Sequence, residues 1–166
     1  PFLDGEAELP GGFNTATQFS IDLEFENGAT MSVNHHFKRD DGTEFDNGIL
    51  FEGDEGRIFV NRGKLTGKPV DDLTEADNAE LNERIIELYK GKQPGNHMQN
   101  FFDCIDTREQ PISDVVTHHR TMTSCHLCNI ALMLGRDLKW NPLKEQFEGD
   151  DQATALMSRK RRTEYA

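Results

Sequence analysis

Residues 17–37, TQFSIDLEFENGATMSVNHHF, decide the fold. Phe19, Ile21, Leu23 and Phe25 recur at strict period two, and after Asn27-Gly28 the series resumes at Met31, Val33, His35 and Phe37. Successive strand residues point to opposite faces, so this alternation predicts strands with one apolar face. Asn-Gly supplies the positive φ angles of a two-residue type I′ turn, which predicts an antiparallel hairpin. Such a sheet is covered on one side only within its own domain.

Outward from this hairpin the chain keeps the same grammar and then changes it. "GILFEG" and "RIFVNR", joined through Asp54-Glu55-Gly56, alternate Ile49 and Phe51 on one strand and Ile58 and Val60 on the next, extending a meander to at least four strands. Gly63 to Ala79 mixes glycine, Pro69 and acidic residues without periodicity and reads as a long excursion. The period then lengthens to that of helices. Leu81, Ile85, Ile86 and Tyr89 predict one helix from about 79, Met98, Phe101, Phe102 and Ile105 a second over about 96–108, and a third covers about 114–134. Ser113 and Asp114 suit the start of the third helix and Gly135 its left-handed end. Its last turns, "CHLCNIALML", are apolar nearly all round, which predicts a buried central helix.

After Trp140-Asn141-Pro142 the pattern lapses until "QATALMSRKRR", a short helical segment expected to pack against another element. Strands first and helices after is the α+β order, not the alternating α/β one. The expected fold is an open, mainly antiparallel β-sheet with helices packed on one face. It forms a single domain over 1–166, with strands about 17–62, helices about 79–134 and a tail at 141–166.

The 166 residues suffice to bury a core without disulfides or a structural metal. Mean hydropathy of −0.70 is low for a compact globule, which assigns part of the chain to surface or linker. A net charge of −12 repels phosphate backbones and anionic lipid, so neither nucleic acid nor membrane is an expected partner. The one basic cluster, Arg159-Lys160-Arg161-Arg162, reads as a solvated tail. No run reaches the roughly 18 apolar residues of a membrane span, and the start carries no export signal; because the start reads as trimmed, the compartment stays open, with a soluble, cytoplasmic setting the favoured one. A beginning at Pro1 without Met reads as a piece of a longer protein.

Motifs for chemistry are sparse. No G-x-G-x-x-G spacing occurs, so the chain lacks the loop whose backbone amides approach a dinucleotide pyrophosphate. Hydrolase elbows, P-loops and HExxH helices are missing as well. Cys125-His126-Leu127-Cys128 has a metal or dithiol spacing, with Cys104, His97, His118 and His119 as conceivable additions. Both cysteines fall inside a predicted apolar helix, however, and small apolar packing is the expected role, with no metal. On that helix His118 and His119 point about 100° apart, so at least one faces a surface or pocket. His35 and His36 face opposite sides of a strand and cannot converge. The carboxylates Glu24, Glu26, Asp40, Asp41, Glu44 and Asp46 sit in hairpin edges and polar loops and read as solvated.

Three phrases in order, "NGILFEGDEGRIFVNRGKLTG", "GNHMQNFFDCIDTREQPISDV" and "HRTMTSCHLCNIALMLGRDLKWNP", resemble the C-terminal domain of the glucose-fructose oxidoreductase, inositol dehydrogenase and MocA family. They look most like its large bacterial subgroup common in planctomycetes. The resemblance runs from about Phe13 to Ala166. It implies a parent oxidoreductase whose N-terminal Rossmann domain binds NAD or NADP and whose substrate is a sugar, cyclitol or related polyol. It implies further that the sheet face pairs with another subunit and that the helix side faces nicotinamide and substrate. The family's catalytic lysine, aspartate and histidine lie in segments before this domain's first strand, so the chain is expected to hold no catalytic residue and no cofactor site. What it implies for this chain is a substrate-pocket rim from His97, Asn100, His118 and Arg120. The alternative is a self-sufficient binding or oligomerisation module.

Overall fold

The computed structural model describes residues 16–89, 91 and 95–158; the expectation for Arg159–Arg162 lies outside them. In chain order the elements are β1 (Ser20–Glu24), β2 (Thr30–Asn34), β3 (Phe37–Lys38), β4 (Glu44–Phe45), β5 (Ile49–Gly53), β6 (Gly56–Val60), β7 (Leu65–Thr66), α1 (Lys68–Asp71), α2 (Glu75–Leu88), α3 (His97–Thr107), α4 (Val115–Leu134), β8 (Trp140–Asn141), β9 (Gln146–Phe147) and α5 (Asp151–Ala155). Strands precede helices, and the sheets are open, giving an α+β fold. The expected four-strand meander is instead divided into the separate ladders β1-β2, β3-β4 and β5-β6-β7, with β8-β9 as a further pair. The chain forms two compact units, Pro1–Phe37 with Val116–Ala166, and Lys38–Val115.

In the first unit the opening hairpin forms with a different turn from the one its Asn-Gly predicts. Gly28 donates to the Phe25 carbonyl at 2.8 Å and Phe25 pairs with Ala29, so the loop has three residues, Glu26, Asn27 and Gly28, with Gly28 at φ 83°. Register explains the choice. Ile21 lies opposite Val33 and Leu23 opposite Met31, which keeps the two apolar rows on one face. A two-residue turn would shift the pairing by one and set Ile21 against Asn34, splitting the rows between faces. Gly28 supplies the left-handed residue that a three-residue loop needs.

The same unit holds the buried core of the described residues, Ile130 of α4, Phe147 of β9 and Ala153 of α5, flanked by Leu127, Leu134, Leu138 and Trp140. The β8-β9 hairpin sets Trp140 opposite Phe147, ring to ring at 5.2 Å and edge-on, so the tail that looked patternless closes over one stripe of α4. Its two-residue strands are too short to show period two. α4 ends as expected, with Gly135 at φ 63° donating to the Ala131 carbonyl at 2.8 Å. It is not a buried central helix, however. Only Ile130 is buried along it, while Met122, Cys125 and Met133 are exposed, because the tail covers a single stripe.

In the second unit β5 and β6 pair through a two-residue loop, with Phe51 opposite Ile58 and Ile49 opposite Val60. Leu65 of β7 continues that row beside Val60. The opposite face brings Phe59 against Phe45 at 5.4 Å, and a Cβ at Gly48 would press into the Phe59 ring at 2.6 Å. The expected excursion over 63–79 is ordered after all. It contains β7, α1 and the start of α2, whose first turn is closed by a capping box. The Thr74 amide donates to Asp77 Oδ2 at 2.8 Å, and the Asp77 amide donates to Thr74 Oγ1 at 3.3 Å. The Thr74 hydroxyl and amide hold the Asp77 carboxyl below its ordinary value. Capping boxes usually place Glu or Gln at the third position, which is why Thr74-x-x-Asp77 escapes a sequence reading. α3 is capped by Asn96, whose Oδ1 accepts from Met98 and Gln99, and it ends at left-handed Arg108, φ 60°.

Gly67 is the pivot between β7 and α1, at φ 136°, and any Cβ there would collide with the Arg57 carbonyl oxygen of β6. Gly28 has a positive φ but nothing within 4 Å. Gly67→Ala should therefore cost more than about 2 kcal/mol, and Gly28→Ala about 1 kcal/mol of local strain only. Urea unfolding of both variants checks the order; equal costs would contradict the close approach.

Candidate functional site

The four residues expected at a pocket rim divide between the units. His97 is the first residue of α3 and is exposed, its helix start fixed by the Asn96 cap. Asn100, one turn on and half-buried, accepts the Ile112 amide on Oδ1 at 3.0 Å and so folds the segment after α3 back toward it. That bond commits the Asn100 side-chain oxygen to the backbone. His118 and Arg120 belong to α4 in the other unit and are both exposed. Two residues on a helix subtend about 200°, so these two side chains leave α4 on nearly opposite sides.

On α4, His119 has a charged partner. Its Nε2 lies 2.8 Å from Glu145 Oε1, each side chain 56% exposed. Glu145 stands in the turn between β8 and β9 at φ 49°, an uncommon conformation for a residue with a Cβ. The turn is held on both sides of it. Asn141 Oδ1 accepts from the Leu143 and Lys144 amides, and Lys139 pairs with Glu148 at 2.8 Å across the hairpin. Lys139 is the chief cause that keeps the Glu148 carboxyl below its usual range. An imidazole beside a carboxylate is a pair able to exchange a proton with a hydroxyl group presented to it. Sequence reasoning left this pair unseen, because the partners are 26 residues apart and the short hairpin that joins them carries no periodic signal.

Beneath the turn, Asp150 anchors the arrangement. Its Oδ1 accepts from the Ala153 amide at 2.9 Å as the N-cap of α5 and from Arg136 Nη2 at 2.9 Å, while Arg136 Nη1 reaches Oδ2. The Asp150 side chain is 15% exposed. The Arg136 hydrogen bond, then the Ala153 amide, hold its carboxyl at about 2.

The polar half of α4 turns several hydroxyls back on the helix, with Thr121, Thr123 and Ser124 donating to the carbonyls four residues earlier. Farther along, Cys125 is exposed and Cys128 half-buried, so the packing role expected of the pair is only partly realised. Burial pushes the Cys128 thiol up, and the neighbouring Cys125 adds to it. Among the described residues no group of three or more His, Cys, Asp or Glu is placed to hold a metal ion, and no helix is long and apolar enough to cross a membrane. Two open clefts of the second unit, one bordered by Asn47, Asn61, Arg62 and Lys64, the other by Phe51, Glu52, Ile58 and Pro69, include none of the four rim residues.

Residues 20–166 match the family model described as "Oxidoreductase family, C-terminal alpha/beta domain". No curated protein and no solved structure matches the chain.

Because the folded-state carboxyl of Asp150 lies at about 2 against an ordinary 3.8, its contribution is complete above the ordinary value and fades as pH falls through the folded one. Stability should decline between about pH 4 and pH 2, and Asp150→Asn should flatten that decline while lowering stability at neutral pH. Urea midpoints across this range check it, and an unchanged slope in the variant would refute the Arg136 tie.

Proposed function

The chain belongs to this oxidoreductase family as its C-terminal alpha/beta domain, and from that premise we propose that it walls the substrate site and assembles the subunits of an NAD(P)-dependent enzyme. The substrate class is a sugar, cyclitol or related polyol. The cofactor belongs to an N-terminal Rossmann domain that this chain does not contain, and the parent is of the bacterial subgroup common in planctomycetes. Within the second unit, His97 and Asn100 are the groups assigned to substrate hydroxyls, while on α4 of the first unit His118 and Arg120 leave on nearly opposite sides, so at most one of them serves a given pocket. A nicotinamide held by that other domain would supply the hydride chemistry, and this chain's residues would orient the substrate and exclude water from it.

The observation that carries this reading, beside the family match, is the apolar surface left uncovered. The row Ile49, Phe51 and Leu65 on the β5-β6-β7 sheet is more than half exposed, with Ile49 at 57% and Phe51 at 56%. α3 likewise exposes Met98, Phe101, Phe102 and Ile105, and α2 exposes Leu81, Ile85 and Ile86. Faces of this kind on a chain without its own cover are interaction surfaces. We assign the sheet row to a second subunit and the helical faces to the N-terminal domain.

Two measurements test the assignment. Fluorescence titration of this chain with NADH or NADPH should give no saturable binding; micromolar affinity would overturn the placement of the cofactor site elsewhere. In sedimentation the chain should dimerise, and Phe51→Lys should weaken the dimer by about thirtyfold or more, the loss expected of a central apolar anchor. A chain that stays monomeric would remove the assembly role.

A further inference from the structure

α4 carries a second, unassigned constellation. Cys125 and Cys128 are three residues apart on an unbroken helix, which places their side chains on one face, one above the other. No disulfide joins them, Cys125 is exposed, and Cys128 is half-buried behind it, near enough for the first to bear on the second. Neighbours at this spacing hold their Cβ atoms about 5–6 Å apart. A disulfide needs about 3.5–4.5 Å, so closing one would distort the helix. Two thiolates gripping one ion fit without distortion, since metal–sulfur bonds of about 2.3 Å let the sulfurs stand roughly 4–5 Å apart.

The ligand set selects the ion. Two sulfurs are soft donors, which suit neither calcium nor magnesium. Zinc in a structural site takes four ligands, and among the described residues no third His, Cys, Asp or Glu joins the pair. A cation content with two opposed thiolates is required. We propose that Cys125 and Cys128 form a two-thiolate site for a soft, low-coordinate cation of the monovalent copper class. The site lies on the turn of α4 just before Ile130, so an ion held there braces the helix where the core begins. Binding forms two sulfur–metal bonds, displaces the thiol protons to solvent and changes no oxidation state.

The third cysteine, Cys104 on α3, is the internal control. The chain is titrated without oxygen against copper(I) held by a chromogenic chelator, and the copper it withdraws is read from the loss of colour. One copper per chain is expected, unchanged in Cys104→Ser and bound about a hundredfold more weakly in Cys125→Ser and in Cys128→Ser. Cys125 is exposed, so its serine variant keeps the fold, which circular dichroism verifies. Failure to withdraw copper, equal withdrawal by Cys125→Ser, or stoichiometric retention of zinc in place of copper would each overturn the proposal.

Discussion

One carboxylate organises the packed part of this molecule. Asp150 caps α5 through the Ala153 amide and receives the Arg136 guanidinium from the segment that leaves α4. The two sides of the β8-β9 hairpin, fourteen positions apart in the chain, are thereby tied together next to the core of Ile130, Phe147 and Ala153. Ala153 has no exposed surface at all because the cap draws the first turn of α5 against its neighbours, where only a small side chain fits. Phe147 and Ile130 complete the contact, with Trp140 edge-on at the rim. The His119–Glu145 pair sits on top of the same hairpin, so its geometry is inherited from that anchor.

The second unit is built on a different constraint, close backbone approach. Gly67 lets β7 turn into α1 directly over the Arg57 carbonyl, and Gly48 leaves room for the Phe59 ring. Phe59 and Phe45 meet half-buried on one side of the β5-β6-β7 sheet, and Ile49, Phe51 and Leu65 are left exposed on the other. Burying one such side chain contributes about 1.5–3 kcal/mol, so the uncovered row is a sizeable reserve of free energy for association. The helices α2 and α3 hold a similar reserve. Their capping is complete at the N-terminus even though their apolar faces are open, which shows local hydrogen bonds setting where a helix starts independently of what covers it.

The legible parts were those with a period or a punctuating residue. The α+β order, the opening hairpin, the bounds of α3 and α4 and the left-handed Gly135 all follow from residues within a few positions of one another. What escaped was short or distant. β7, α1, β8 and β9 are too brief to show alternation, and the Asp77 in the capping box replaces the usual longer acid. The division of the strands into separate ladders also depends on partners that no period reports. Of the candidate site, the helix bearing His118, His119 and Arg120 was readable, but Glu145, 26 residues beyond His119, was not.

The sequence alone determined element type and order, because alternation and helical spacing are local consequences of where side chains point. It also determined that no dinucleotide loop is present, since that loop is a fixed spacing of glycines. The tertiary structure alone decided the three-residue hairpin turn, because matching two apolar rows on one face outweighs the preference of a single Asn-Gly. It decided as well which stripe of α4 is covered, because burial depends on what folds back from the tail. A helix apolar nearly all round has no face of its own to prefer, and the choice fell to the Arg136–Asp150 tie.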